Sequence, residues 1–454
     1  MANIPRFSLF RNDKHFKYST DVLRKLLSTK KNDVSPKDDI SDVPVLNNGK
    51  PSKSGRRVYA WGVAETGALG IHTHRLKREM KTLAQFYHHP KRLHFSHLYK
   101  VNDIACGYGF TVYSVDPDLE KGQHKVFGSG LNTDSQIGYH AVRAGHPLAL
   151  LLNPAPINIP LKSIKTRVKG LAAGRAHLLV HTDDGVFSLG NNAYGQCGRP
   201  IIENENYSGS RIVHKIVNLP ADEIRSVACG QDHSMFITEK GSVYACGWNA
   251  DGQTGQNNYE SNWEPKLVTG DVVGEDIVKL SCAGDCVLAL NRKGEVFGWG
   301  NSEYGQLCKD SLQLATSKHL LFTRDLGKII DVAAGGSFCM ALNEHGQVFV
   351  WGFGILGKGP KAQKSMTPTE IPPILFGRNE FQPDSKVNQV ACGLHHFMAV
   401  TNKGDLYSWG HNRGGCLGLG HDKDQFFPMK VAVGASVAKV SCGVDHTVVV
   451  CSSF

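Results

Sequence analysis

Several features are missing from this sequence of 454 residues, and each absence excludes a class of protein. No run of about 18 apolar residues occurs, so we predict no transmembrane helix. No CxxC pair occurs among the 12 cysteines, which argues against a structural zinc site. Matching positions in separate repeat units are too far apart for disulfides, so this cysteine usage fits a reducing compartment. The cysteines that recur once per repeat unit are Cys106, Cys229, Cys282, Cys392 and Cys442.

The side-chain sets typical of catalysis are also missing. No Ser/His/Asp set and no clustered pair of carboxylates stands out from the spacing. The segment from Gly352 to Lys358 nearly spells a phosphate-binding Walker A loop, but Gly359 and Pro360 follow where that loop needs Ser or Thr and then a helix. We therefore predict no catalytic residue, no metal and no cofactor, and a protein that acts by binding a macromolecular partner.

Glycine, by contrast, is abundant at 49 residues, and its spacing reveals an internal repeat. An apolar run, a tight turn such as Glu-Lys-Gly and a returning apolar run recur along the chain, which predicts β-hairpins whose turn Gly has a positive φ. The motif Gly precedes the turn Gly by 11 residues in each of four pairs, which are Gly174 and Gly185, Gly230 and Gly241, Gly335 and Gly346, and Gly393 and Gly404.

The number of copies predicts the architecture. Units of about 50 residues with four strands each, without capping units, predict an all-β, seven-bladed β-propeller over residues 58–454. The last copy stops after one strand and the first copy lacks that strand, so we expect the N- and C-terminal strands to pair and close the ring. The seven copies of the strand-closing segment end at Gly62, Gly130, Gly190, Gly247, Gly300, Gly352 and Gly410.

Residues 1–57 form a basic leader and linker, with 13 Lys and Arg against 6 Asp and Glu. Residues 1–31 hold eight Lys and Arg against two Asp, and the stretch Thr20–Lys31 fits an amphipathic helix; together these features are typical of a mitochondrial transit peptide. A disordered basic tail or a nuclear signal is the alternative interpretation. Residues 32–57 are polar and contain prolines, which is typical of a linker, so we expect the whole leader to be disordered.

A second basic segment is an insertion over residues 71–100, with 7 Lys and Arg against 1 acidic residue. Aromatic residues are interleaved with its positive charges, a composition that suits RNA or an acidic protein surface. The alternative is a solvated insertion that contacts nothing. Its six histidines have no convincing spacing for metal ligands. The candidate contact residues of this segment are Arg75, Lys77, Arg78, Lys81, Lys91 and Arg92.

Histidine also recurs inside the repeat. A histidine in one register position is replaced by Phe or Cys in the other repeat units, so we predict packing and hydrogen bonding inside the blade rather than acid–base chemistry. The four histidines in this register are His177, His233, His396 and His446.

The repeat resembles the regulator of chromosome condensation repeat over residues 58–454. Segments such as YGQCG, CGWNADGQTG and FVWGFGILGKGP are similar to the mitochondrial, guanine-exchange-factor-like member of that family. The resemblance implies nucleotide exchange on a dynamin-like GTPase of inner-membrane fusion, by partner binding without covalent catalysis. It also implies the mitochondrial matrix or the matrix side of the inner membrane, with peripheral membrane association.

The resemblance also implies a site. In the chromosomal relative, residues important for exchange follow the small-residue triplet of each repeat, although we recognise no counterpart of its wedge-like β insertion in this sequence. An alternative implied function is a non-enzymatic scaffold in mitochondrial ribosomal RNA modification and large-subunit assembly, with RNA and RNA-modifying enzymes as partners of the basic insertion. The residues that match the exchange positions are Arg175, Gln231, Asp232, Asp285, His395 and Asp445.

Overall fold

The computed structural model describes residues 56–71, 85–116, 124–143, 146–220, 223–307 and 311–452. The leader and the transit peptide predicted in it lie outside the described residues. Within the described part, the chain forms seven four-stranded antiparallel sheets and one separate two-stranded hairpin. No helix in these ranges is long and apolar enough to cross a membrane. The predicted seven-bladed propeller is confirmed.

The blades follow one another along the chain, and the first strand of each is the innermost. The described chain begins with β1 (Arg57–Val63), β2 (Phe86–Arg92) and the short helix α1 (Phe95–Leu98). Blade 1 consists of β3 (Val101–Cys106), β4 (Phe110–Val115), β5 (Val126–Leu131) and, after the hairpin of β6 (Ala141–Arg143) and β7 (His146–Pro147), β8 (Leu150–Pro156). Blade 2 consists of β9 (Val168–Ala173), β10 (His177–Thr182), β11 (Gly185–Gly190) and β12 (His214–Lys215). Blade 3 consists of β13 (Ile224–Cys229), β14 (His233–Thr238), β15 (Val243–Gly247) and β16 (Asn262–Leu267).

The next three blades have the same order of strands. Blade 4 consists of β17 (Ile277–Ser281), β18 (Cys286–Asn291), β19 (Val296–Asn301) and β20 (Gln313–His319). Blade 5 consists of β21 (Ile329–Ala334), β22 (Phe338–Asn343), β23 (Val348–Phe353) and β24 (Lys364–Ile371). Blade 6 consists of β25 (Val387–Cys392), β26 (His396–Thr401), β27 (Leu406–Gly410) and β28 (Gln425–Lys430). Short 3₁₀ helices occur at Leu321–Leu326, Pro373–Phe376 and Arg413–Gly415.

Blade 7 closes the ring with strands from both ends of the chain. It joins β29 (Ser436–Cys442) and β30 (His446–Ser452) to β1 and β2, and Ala60 pairs with Val448 in the middle of the β1–β30 ladder. The predicted closure is confirmed, but the C-terminal end supplies two strands rather than the expected one. The repeat pattern starts at Val440 and therefore hides the first half of β29.

One pair of register positions recurs at the interfaces between neighbouring blades. The first residue of the second strand faces the second residue of that strand in the following blade. His177 Nε2 and the Ser234 hydroxyl are 3.1 Å apart in one such pair, and the Cys286 and Cys339 sulfur atoms are 3.8 Å apart in another. The recurring histidines are therefore buried, as predicted, but their partners lie in the neighbouring blade rather than in their own.

One interface breaks this match. His233 is fully buried, and neither of its ring nitrogens hydrogen bonds to any described residue. In the next blade the facing position holds Val287, where the corresponding interface of His177 has Ser234. A buried polar group without a partner costs stability, so this interface is weaker than it could be.

We expect Val287→Thr to stabilise the propeller. A hydroxyl at this position supplies the hydrogen bond that His233 lacks, and a net gain of about 0.5–1.5 kcal/mol in the free energy of unfolding is the usual size of such a bond. The matched reverse change is Thr111→Val, which removes the hydroxyl 2.9 Å from His446 Nε2 and should cost about 1–3 kcal/mol. Denaturant unfolding of both variants provides the comparison, and a loss of stability in Val287→Thr would contradict the pairing.

Candidate partner-binding face

The seven turns that follow the innermost strands meet around one mouth of the central channel. All innermost strands run in the same direction, so their ends lie together, and we name these turns the inner-turn ring. The ring and the loops between the third and fourth strands form the upper face, and the opposite side is the lower face. The ring consists of residues 107–109, 174–176, 230–232, 283–285, 335–337, 393–395 and 443–445.

The glycine that opens each motif explains why these turns can meet. A Cβ atom on Gly174 would lie 2.7 Å from the carbonyl oxygen of Gly230 in the next blade, and one on Gly393 would lie 2.4 Å from that of Gly443. The close approach lets neighbouring turns hydrogen bond, as Gly336 N–H does to the Leu394 carbonyl at 3.0 Å. The second glycine serves a different purpose, because hairpin-turn glycines such as Gly185 have the predicted positive φ, here 116°.

All six residues that the resemblance marked for exchange lie on the inner-turn ring. Arg175 and Asp232, from blades 2 and 3, form an ion pair in which Nε donates to Oδ1 at 3.2 Å. The backbone N–H of Arg175 also donates to the Gln231 carbonyl at 2.8 Å. The structure thus links three of the six directly, while Asp285, His395 and Asp445 occupy other turns of the same ring. Their role in partner binding stays a prediction.

Asp285 is an ionisable group in an unfavourable environment. Burial raises the pKa of its carboxyl to about 6, the nearby carboxylates of Asp251 and Asp232 contribute, and the Gln253 side chain offsets part of the rise. Its Oδ1 atom is buried and makes no hydrogen bond with the described residues. Gln253 and the positive charge of Arg175 therefore compensate the desolvation of this carboxylate only in part.

Asp445 is similar to Asp285, although it has a cation nearby. Its Oδ1 is buried without a hydrogen bond in the described ranges, and Arg413 Nε lies 3.6 Å away, beyond hydrogen-bonding distance. Burial raises the pKa of Asp445, the positive charge of Arg413 offsets part of the rise, and Glu65 adds to it. On the neighbouring turn, burial lowers the pKa of His395 to about 4, so its imidazole is neutral near pH 7.

Two features of this face escaped the sequence analysis. Tyr108 belongs to the ring, and its hydroxyl donates across the channel mouth to the Ala283 carbonyl at 3.1 Å. It occupies the register position of Arg175, so the repeat itself was the signal that could have identified it. The second feature is the β6–β7 hairpin, which lies in an upper-face loop of blade 1 where we recognised no β insertion.

The basic segment 71–100 was predicted to be an insertion, and this prediction is wrong for its second half. Residues 86–92 form β2, the outermost strand of blade 7, in which Ala60 pairs with Lys91. Leu93 is fully buried in the core just after that strand. The exposed Lys91 and Arg92 lie at the lower end of β2, away from the inner-turn ring. The other four candidates, Arg75, Lys77, Arg78 and Lys81, lie outside the described residues.

The arrangement of this face suits binding rather than chemistry. The ring presents carboxylates, one arginine and a neutral histidine from separate turns. No group of three His, Cys, Asp or Glu in the described ranges is placed to hold a metal ion. The Walker-like segment ends β23 and leads into β24 without the intervening helix that a Walker A loop needs.

Comparison with known proteins places this geometry in a family. The Regulator of chromosome condensation (RCC1) repeat matches residues 57–113, 183–237, 240–290, 293–342, 345–400 and 403–450. The RCC1-like G exchanging factor-like protein of Mus musculus is 45% identical over 428 residues, which cover 91% of each chain. The crystal structure of human WBSCR16 superposes with a TM-score of 0.81 at 45% identity, covering 88% of this chain and 99% of that one.

A more distant structure shows the same fold. Prp20p from Saccharomyces cerevisiae superposes with a TM-score of 0.71 at 20% identity, covering 89% of this chain and 93% of that one. The repeat matches span most of the propeller, and the mouse relative extends across nearly the whole chain. This chain belongs to the regulator of chromosome condensation (RCC1) repeat family.

Proposed function

We propose that this propeller is a guanine-nucleotide exchange factor that binds a GTPase through its inner-turn ring. The observation that carries the proposal is the pair of half-buried carboxylates, Asp285 and Asp445, whose buried Oδ1 atoms have no hydrogen bond within the described residues. The names of the relatives support it, because the mouse protein is called an RCC1-like G exchanging factor-like protein. Prp20p, which shares the fold, has been studied for its binding to Gsp1p and histones.

Exchange by this face requires binding alone. A protein that binds the nucleotide-free GTPase better than the nucleotide-bound form weakens nucleotide affinity by the same factor. The inner-turn ring is suited to such selective binding, because hydrogen bonds between neighbouring turns hold its charged groups in fixed positions. Basic groups of the partner then supply the hydrogen bonds that Asp285 and Asp445 lack.

The identity of the GTPase is a finer part of the proposal. We propose a dynamin-like GTPase of mitochondrial inner-membrane fusion, with this protein in the matrix or at the matrix side of the inner membrane. The basic, acid-poor composition of residues 1–31 supports the mitochondrial location. The resemblance to the mitochondrial member of the family supports the choice of GTPase.

Charge reversal on the ring tests the proposal. We expect Asp232→Lys and Asp445→Lys each to slow GDP release from the GTPase at least about tenfold, because an interface loses about 2–5 kcal/mol when one partner of a buried charge pair is removed. Release of a fluorescent GDP analogue gives the rate. The control is Asp384→Lys, an exposed carboxylate on the lower face. Unchanged rates in both ring variants, with normal thermal unfolding, would exclude this face.

Asp285 provides a second test, through stability. Its pKa is raised in the fold, so the folded protein holds this proton more tightly than the unfolded chain, and ionisation destabilises the fold as the pH rises through about 4 to 6. We expect Asp285→Asn to increase the free energy of unfolding by about 1–3 kcal/mol at pH 7.5 and by almost nothing at pH 4. The matched control Asp384→Asn should have no effect at either pH. A destabilised Asp285→Asn at pH 7.5 would show that the native carboxylate is well compensated.

A second candidate function is the scaffold in mitochondrial ribosomal RNA modification and large-subunit assembly. The observation that favours it is the exposed basic end of β2, where Lys91 Nζ lies 5.9 Å from the centre of the Tyr87 ring and Arg92 follows. Paired basic and aromatic groups on an exposed strand suit single-stranded RNA. RNA-modifying enzymes would be the protein partners under this proposal.

We expect Lys91→Glu with Arg92→Glu to weaken binding of a ribosomal RNA fragment about tenfold and to flatten its salt dependence, because phosphate contacts release counterions. The matched control is Lys386→Glu with Lys403→Glu, two exposed lysines on the lower face of blade 6. A deletion of residues 72–84 tests the remaining basic candidates without removing β2. RNA binding that survives both changes would remove the basic segment from the proposal.

A further inference from the structure

A pocket opens on the upper face beside the inner-turn ring. It lies between blades 6 and 7 and has a volume of about 440 Å³, within the range of about 300–1,000 Å³ typical of ligand sites. Two turns of the ring contribute to it, and the loop between β27 and β28 completes it. We name it the blade 6–7 pocket, and its ionisable lining residues are His395, His411, Arg413, Asp422, Asp424 and Asp445.

The charges in this pocket are unbalanced, with three carboxylates against one guanidinium. Asp424 is fixed in place, because its Oδ2 lies 2.9 Å from His411 Nδ1 and its Oδ1 accepts from Asn412 N–H at 2.9 Å. Asp422 is exposed at the rim. The pocket therefore presents a negative wall that is partly organised before any ligand arrives.

Asp445 shows what the pocket lacks. Its side chain is only 16% exposed, and its buried Oδ1 has no hydrogen bond within the described residues. Arg413 forms an ion pair with Asp445, but its Nε is 3.6 Å from Oδ1 and its side chain is 60% exposed, so it compensates the carboxylate only in part and makes no hydrogen bond to Oδ1. A charged donor that reached Asp445 from the open side would compensate the desolvated carboxylate.

The two histidine rings that line the pocket favour a guanidinium over an ammonium group. The His395 and His411 rings stand edge to face with their centres 6.2 Å apart, and both line the pocket. A guanidinium group stacks on aromatic faces and offers five N–H donors in one plane, so it can contact an imidazole and more than one carboxylate together. An ammonium group has three donors at one point and is more strongly hydrated.

We propose that the blade 6–7 pocket binds an arginine side chain from a basic segment of a partner protein, with Asp445 as its buried anchor and Asp424 and Asp422 around it. The inference rests on the proposed function insofar as that partner is the GTPase. It adds the chemistry of the partner's contact, a single inserted guanidinium, and the position of that contact between blades 6 and 7.

A peptide pair tests the pocket without any GTPase. The probe is an acetylated and amidated Gly-Gly-Arg-Gly-Gly peptide, and its matched control has citrulline, which keeps the shape of arginine and removes the charge. Histidine-labelled protein gives NMR signals from His395 and His411. We expect the arginine peptide to shift both signals and to bind at least tenfold more tightly than the citrulline peptide.

Variants of the pocket complete the test. Asp445→Asn and the exposed Asp422→Asn should each weaken the arginine peptide severalfold, and Asp384→Asn on the lower face should not. Equal binding of both peptides, or no shift at either histidine, would overturn the proposal, and Asp422→Asn keeps the test valid if Asp445→Asn fails to fold. Peptide binding without an effect of these variants on GDP release would keep the pocket and reject the GTPase as its partner.

Discussion

The contact between neighbouring blades is the interaction on which the rest of the molecule depends. In a closed ring every blade must fit two others, so one badly matched interface would affect the whole circle. The pairs are matched in chemical kind, as the Phe338 and Phe397 rings stacked 3.7 Å apart show. Tryptophans reinforce these contacts, since the Trp61 indole N–H donates to the Cys416 carbonyl of the preceding blade at 2.8 Å. Histidines meet hydroxyls, Cys286 meets Cys339 and Phe338 meets Phe397, with the contact of His233 as the mismatch, and these contacts set the angle between neighbouring sheets.

The set angle between the sheets determines how the turns of the upper face are arranged. Because the sheets stand at set angles, the turns after the innermost strands approach each other closely, and six of the seven motifs open with glycine, while Ala283 opens that of blade 4. A side chain on such a turn has little freedom to move away from its neighbours. The ring is therefore a rigid support on which charged groups such as Arg175 and Asp232 keep their positions. Rigid support of this kind reduces the entropy lost on binding.

The sequence predicted the repeated parts of this structure well and the irregular parts poorly. The glycine register gave seven blades, the pairing of the chain ends and the turns that carry the candidate residues. It missed β2 as a strand because outer strands lie at the sheet edge, where one face is solvated and a proline interrupts the alternating pattern. Proline lacks an N–H and protects an exposed edge from pairing with another chain, but it also hides the strand from pattern analysis. Outer-strand prolines occur at Pro90, Pro154, Pro265, Pro368 and Pro428.

The carboxylates of the central channel differ in how fully they are satisfied, and at the upper mouth Asp232 is paired with Arg175. At the lower mouth, Asp103 and Asp331 sit on innermost strands and pair with the lysines Lys439 and Lys279 of the preceding blades. Asp331 also accepts the Val390 N–H of the following blade at 2.9 Å, so its charge holds three blades together. At the upper mouth, the Oδ1 atoms of Asp285 and Asp445 have no hydrogen bond within the described chain.

Folding stability alone would favour satisfied carboxylates at both mouths, since a buried charge without compensation costs free energy. At the lower mouth, lysines from adjacent blades pair with the carboxylates, so this fold is able to satisfy them. Two carboxylates of the upper face keep an Oδ1 atom without a hydrogen bond in the described chain, and a partner molecule can supply the missing donors. The difference from the lysine-paired carboxylates of the channel supports the proposal that the upper face binds the partner.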